Sequence, residues 1–74
     1  MQIEEIKIST EYIKLDQLLK FSGIAENGAD AKDMILSEIV RVNGEICIMR
    51  GKKIRSGDEV IVEFEDETLK IEVK

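Results

Sequence analysis

Ile39-Val40-Arg41-Val42-Asn43-Gly44-Glu45-Ile46-Cys47-Ile48-Met49, residues 39–49, decides the fold class. Ile39, Val40 and Val42 read as a strand. Asn43-Gly44 then marks a hairpin, because both central positions of a type I′ turn need positive φ. Glu45 to Met49 returns, with Ile46 and Ile48 on one face and Cys47 on the other. The β character continues downstream. Arg50 through Arg55 form a basic loop, and Ser56-Gly57-Asp58 is a turn. Val60, Val62 and Phe64 alternate as a strand, Glu65-Asp66-Glu67 turns the chain, and Leu69, Ile71 and Val73 alternate as another strand.

Upstream the period lengthens. Leu15, Leu18 and Leu19, preceded by Ile13, place one apolar stripe on a helix. Gly23 is its expected stop, since glycine takes the left-handed conformation cheaply. A second helix is expected to start near Asn27-Gly28. Asn27 caps it, Asp30 and Asp33 suit the positive end of its dipole, and Ala31, Met34 and Ile35 form its buried face. Before both helices, Ile6 and Ile8 flank Lys7 as a short strand. Ile3 is out of phase with them, so that strand either starts late or carries a bulge. The order is therefore β-α-α-β-β-β-β. Helices and strands that do not interleave imply an α+β domain, with two helices packed on a small antiparallel sheet. No internal repeat, linker or low-complexity stretch interrupts it.

Composition narrows the function. The 74 residues suffice for one domain, 1–74, and not for two. Histidine is absent, and with it the commonest general base and metal ligand. Cys47 is the one cysteine, so it forms no internal disulfide and reads as a small hydrophobe with nothing to activate it. No serine–base or cysteine–base arrangement and no ligand cluster stands out, so neither catalysis nor a metal or cofactor is expected. No apolar run approaches the length of about 18 residues that suggests a membrane span. Glu4 and Glu5 stand where a signal peptide would be basic, and the expected location is the cytoplasm.

The net charge of −5 argues against nucleic acid until it is resolved along the chain. Residues 1–40 carry −4, and residues 56–74 carry −5. Residues 41–55 carry +4, from Arg41, Arg50, Lys52, Lys53 and Arg55 against Glu45 alone. A basic segment inside an acidic chain says more about partners than the total does. Its blander reading is a solvated loop. Arg50 and Arg55 are able to make bidentate phosphate contacts, while Lys52 and Lys53 act as point charges.

Taken in order, Ile13-Lys14-Leu15-Asp16-Gln17-Leu18-Leu19-Lys20, Gly23-Ile24-Ala25, Ala31-Lys32-Asp33-Met34-Ile35, Val40-Arg41-Val42-Asn43-Gly44 and Lys53-Ile54-Arg55-Ser56-Gly57-Asp58-Glu59-Val60 resemble the S-four RNA-binding domain, over roughly residues 13–60. That domain is named after ribosomal small-subunit protein four and also occurs in small stand-alone bacterial proteins. The resemblance implies an alpha-L RNA-binding motif, in which a helix pair beside a hairpin forms a positive surface for structured RNA. By position, Lys14 matches the basic residue opening the first helix and Lys32 a basic position in the second. Arg41 and Asn43 match the strand and turn that face RNA, Lys52 and Lys53 lie in the basic loop, and Lys20, Arg50 and Arg55 complete the basic set. Many members carry Ser-Arg where this sequence has Gly28-Ala29. Gly28 leaves backbone N–H groups open at a helix start, which are able to hold a phosphate without a side chain. Asp16 has two readings: it compensates the helix dipole, or it orients Lys14 or Lys32 for phosphate.

Three aromatic residues are present, and Phe21 and Phe64 read as core. That leaves little for stacking on unpaired bases. The expected partner is folded or duplex RNA, with ribosomal RNA implied by the resemblance, no DNA or membrane partner, and a monomeric protein. Two other readings compete. Val42-Asn43-Gly44-Glu45 with Gly57-Asp58-Glu59-Val60 also fits small sulfur-carrier proteins, whose chemistry needs a flexible Gly-Gly tail. Here Ile71-Glu72-Val73-Lys74 falls in an expected strand. The other alternative is a protein-interaction module on an S-four scaffold that has lost RNA.

Overall fold

The computed structural model describes residues 2–74. The elements run β1 (Gln2–Ile6), β2 (Ile13–Lys14), α1 (Leu15–Phe21), α2 (Gly28–Leu36), β3 (Val40–Val42), β4 (Glu45–Ile46), β5 (Lys53–Ile54), β6 (Glu59–Glu63) and β7 (Thr68–Val73). Five strands form one sheet in the order β1-β7-β6-β3-β4, and β2 pairs with β5 in a separate ladder.

The hairpin at residues 43–44 forms as its sequence requires. Asn43 has φ 51° and Gly44 φ 89°, the two positive values of a type I′ turn. Its register sets Val42 opposite Glu45 and Arg41 opposite Ile46. On the other side of β3, Val40 faces Val62 and Val42 faces Val60, and β7 continues the row with Ile71 opposite Val60. These valines and Ile71 point to one face and meet Leu15, Leu18, Leu19, Ala31 and Ile35 of the helices in one buried cluster. Asn27 caps α2, its side-chain oxygen accepting the Asp30 N–H at 2.9 Å. Cys47 packs half-buried against the core.

Two features depart from the expected antiparallel sheet. The first is that β1 runs parallel to β7, with Gln2 opposite Leu69 and Ile6 opposite Val73. Connectivity explains the direction. The chain leaving β1 must reach β2, whose partner β5 lies just before the start of β6. That end of β6 meets the end of β7, so β1 delivers the chain there only by running alongside β7. The strand also lies earlier than expected: it starts at Gln2 and ends at Ile6, leaving Lys7 and Ile8 outside it. Its register is continuous, so Ile3 is out of phase with the buried Ile6 because its side chain points outward, with no late start and no bulge. The second departure is the β2–β5 ladder, formed from residues read as helix lead-in and loop.

Phe21 corrects another expectation. It is 70% exposed, not core. At 100° per residue it lies well round the helix from the stripe centred between Leu15, Leu18 and Leu19, which already fills the inward side. Phe64 is half-buried against the core.

Asp58 ties the turns together. Its carboxylate accepts the Arg55 N–H at 2.8 Å and the Asn43 side-chain N–H at 3.1 Å. The Asn43 side-chain oxygen in turn accepts the Glu59 N–H at 2.9 Å. The Arg55 backbone donor, the Asn43 amide and the nearby charges of Lys52 and Arg55 hold the Asp58 carboxyl below its ordinary range, against a smaller opposing effect of burial. Asp58→Ala is therefore expected to destabilise the fold by about 1–3 kcal/mol in urea unfolding at pH 7. Because the folded pKa is lowered, this contribution is fully present above the ordinary carboxylate value of about 4 and is lost as pH falls through the folded value. The gap between parent and variant should narrow in acid; a gap that stays constant down to about pH 2 would contradict this role.

Candidate nucleic-acid interface

The β2–β5 ladder positions the basic residues. Ile13 lies opposite Ile54, and Lys14 opposite Lys53. Ile54 is fully buried and Ile13 partly so. Strand alternation then turns Lys14 and Lys53 to the other, solvent side. Carried one residue further each way, the alternation adds Tyr12 and Arg55 to that side. The Lys53 Nζ lies 5.0 Å from the centre of the Tyr12 ring, and the Arg55 guanidinium carbon 6.0 Å from it.

The start of α1 fixes the loop beside this ladder. The first N–H groups of a helix lack partners within it. Here Leu15 N–H donates to the Lys52 carbonyl at 2.8 Å and Asp16 N–H to the Arg50 carbonyl at 3.1 Å. Gln17 N–H donates to the Asp16 carboxylate at 2.8 Å. The dipole-compensating reading of Asp16 thus matches its geometry, and its carboxylate forms no ion pair with Lys14 or Lys32. Backbone hydrogen bonds bring the segments that carry Lys14, Arg50, Lys52, Lys53 and Arg55 together at the start of α1.

Their electrostatics differ from those of the sheet. Arg41 pairs with Glu63 and also donates to the Gly44 carbonyl at 3.3 Å. Lys70 pairs with Glu59 at 3.0 Å and Glu72 at 3.8 Å, and Lys74 with Glu5 at 3.6 Å and Glu72 at 3.7 Å. The hydrogen bond that Lys70 donates to Glu59, with the charges of Glu59 and Glu72, raises the Lys70 pKa against a smaller effect of burial. Among the described residues, Lys14, Lys20, Lys32, Arg50, Lys52, Lys53 and Arg55 form no ion pair.

The remaining candidates lie apart. Arg41 projects from the sheet face opposite the buried Val40 and Val42, bound to a carboxylate. Asn43 spends both ends of its amide on Asp58 and Glu59. Lys20 is exposed in the last turn of α1, and Lys32 is exposed on α2. Gly28 opens α2 next to the Asp30 carboxylate, which accepts the Glu26 N–H at 3.3 Å and brings negative charge to that helix start. Tyr12 is the residue that sequence reasoning missed. Its partners are distant in sequence, and the two-residue spacing from Lys14 was the one local cue.

The S4 domain family model matches residues 6–72. The chain belongs to the S4 domain family. The "Probable ribosome maturation protein RlbA" of Bacillus subtilis (strain 168) is 40% identical over 58 residues, which cover 78% of this chain and 82% of that one. In this S4 domain the fold joins a pair of helices to a mixed sheet, and the unpaired Lys14, Arg50, Lys52, Lys53 and Arg55 gather on the β2–β5 ladder and its loop.

Like charges directly opposite each other on a ladder are destabilising. Lys14→Glu would replace that repulsion with an opposite-charge pair across from Lys53. It is expected to leave stability unchanged or raise it by about 0.2–1 kcal/mol in low-salt thermal unfolding. A loss of stability larger than about 1 kcal/mol would show that Lys14 serves the fold.

Proposed function

We propose that this S4 domain binds structured RNA without catalysing a reaction, acting in the cytoplasm as a monomer of one domain, and that ribosomal RNA is its target. The carrying observation is the unpaired set of Lys14, Arg50, Lys52, Lys53 and Arg55 on the β2–β5 ladder and its loop, in an otherwise acidic protein. Cations held close by backbone structure and lacking carboxylate partners suit a phosphate backbone, which they contact by displacing its counterions. The family and the name of the Bacillus relative support an RNA of the ribosome. Contacts to phosphate and shape fit the geometry, since the ladder and loop present charged tips rather than a row of exposed rings.

A second reading, a protein-interaction module, draws on one observation. Ile46, Ile48 and Met49 are exposed and line, with Val42 and Lys52, a groove of about 410 Å³. Salt separates the two readings, because phosphate contacts weaken steeply as salt rises and apolar contacts do not.

RNA crosslinked in cells, recovered with the protein and sequenced, identifies the target. A variant with Arg50→Glu, Lys52→Glu and Lys53→Glu should lose that RNA. With the recovered RNA in vitro, the triple variant is expected to bind at least about tenfold more weakly. The slope of log K against log salt should shrink by about 0.7–0.9 for each phosphate that the variant no longer neutralises. Lys70→Glu with Lys74→Glu should change affinity far less, because both lysines already serve carboxylates. Equal losses of affinity from the two sets would overturn the assignment of the face.

A further inference from the structure

We infer that Tyr12 is a positioning residue for RNA, its ring holding Lys53 and Arg55 side by side on the ladder so that the two cations meet the phosphate backbone preorganised. This rests on the RNA-binding reading above and deepens it. Lys53 lies in β5 and Arg55 follows directly after that strand's last residue, Ile54, with Lys14 directly across from Lys53. Three like charges this close repel, and long side chains left to themselves spread into many rotamers whose loss opposes binding. The Tyr12 ring counters both effects. Its π face is negative, and it attracts the Lys53 ammonium at 5.0 Å and the Arg55 guanidinium at 6.0 Å.

The backbone that carries the ring is anchored. Tyr12 precedes the ladder residue Ile13, which packs on the core, and its carbonyl accepts the Thr10 hydroxyl at 2.9 Å. Tyr12 is half-buried, so its ring is a wall against which the cations rest. On the other side, Asp58 accepts the Arg55 N–H and fixes where the Arg55 side chain begins. Both cations are thus held at their backbone and again near their tips, while neither forms an ion pair.

The test compares Tyr12→Phe, Tyr12→Leu, Lys53→Ala and the Tyr12→Leu/Lys53→Ala pair with the parent, using the RNA recovered by crosslinking. Tyr12→Phe keeps the ring and should bind within about twofold of the parent. Tyr12→Leu should bind roughly three- to tenfold more weakly, with a shallower salt slope because the freed cations meet phosphate less fully. The pair should lose less than the two single losses combined, since the ring acts partly through Lys53. In the free protein, proton NMR should show the Lys53 and Arg55 side-chain signals shifted by the Tyr12 ring, retained in Tyr12→Phe and lost in Tyr12→Leu. A Tyr12→Leu loss with an unchanged salt slope would mean that the ring stacks on a base, and would overturn the positioning role. Equal losses in Tyr12→Phe and Tyr12→Leu would assign the effect to the hydroxyl and overturn it too. A parent that binds RNA equally well as Tyr12→Leu overturns the role of Tyr12 alone. A parent that binds no RNA overturns the function on which the role depends.

Discussion

Two backbone hydrogen bonds, from Leu15 and Asp16 N–H to the carbonyls of Lys52 and Arg50, join the helical layer to the basic loop. With them, the β2–β5 ladder brings into register two segments far apart in sequence. The helix gains partners for donors that would otherwise lack them, and the loop gains a fixed path. Lys14, at the capping position of α1, contributes no side-chain cap and needs none. Its side chain is left free for charge. The same bonds that begin the helix thus determine where the cations gather, and the chemistry of the surface follows from the way the core is closed.

That arrangement reconciles an acidic protein with an anionic partner. Carboxylates on the sheet strands, Glu5, Glu59, Glu63 and Glu72, take up Arg41, Lys70 and Lys74. The ladder and its loop keep their cations unpaired. Net charge is a poor guide in such a molecule, because short-range partners determine which cations remain available. Screening by salt confines the distant carboxylates' influence to about 8 Å at physiological ionic strength.

Much of this was legible in the sequence, for local reasons. Asn43-Gly44 specifies its own turn, Leu15, Leu18 and Leu19 specify a buried stripe, and Asn27 specifies a cap. The basic segment was equally plain, and the ordered family pattern pointed to RNA. What escaped depended on long-range pairing. The direction of β1 is set by where the chain must go next, and Tyr12 acquires its partners only when β2 meets β5. Phe21 illustrates the opposite failure: its apolar character suggested burial, but its angular position on α1 overrode it. Asn43 and Arg41 matched the family pattern by position, and here their side chains serve bonds within the fold.

The two outer strands of the sheet differ in length and share a property. β4 has only two residues, and β1, although longer, carries Glu4 and Glu5 in its five. An edge strand exposes unused backbone donors and acceptors, and a long, flat, uncharged one invites another chain to add to it. Brevity on one side and paired acids on the other discourage that addition. The sheet therefore ends in borders that discourage a second chain from adding edge to edge.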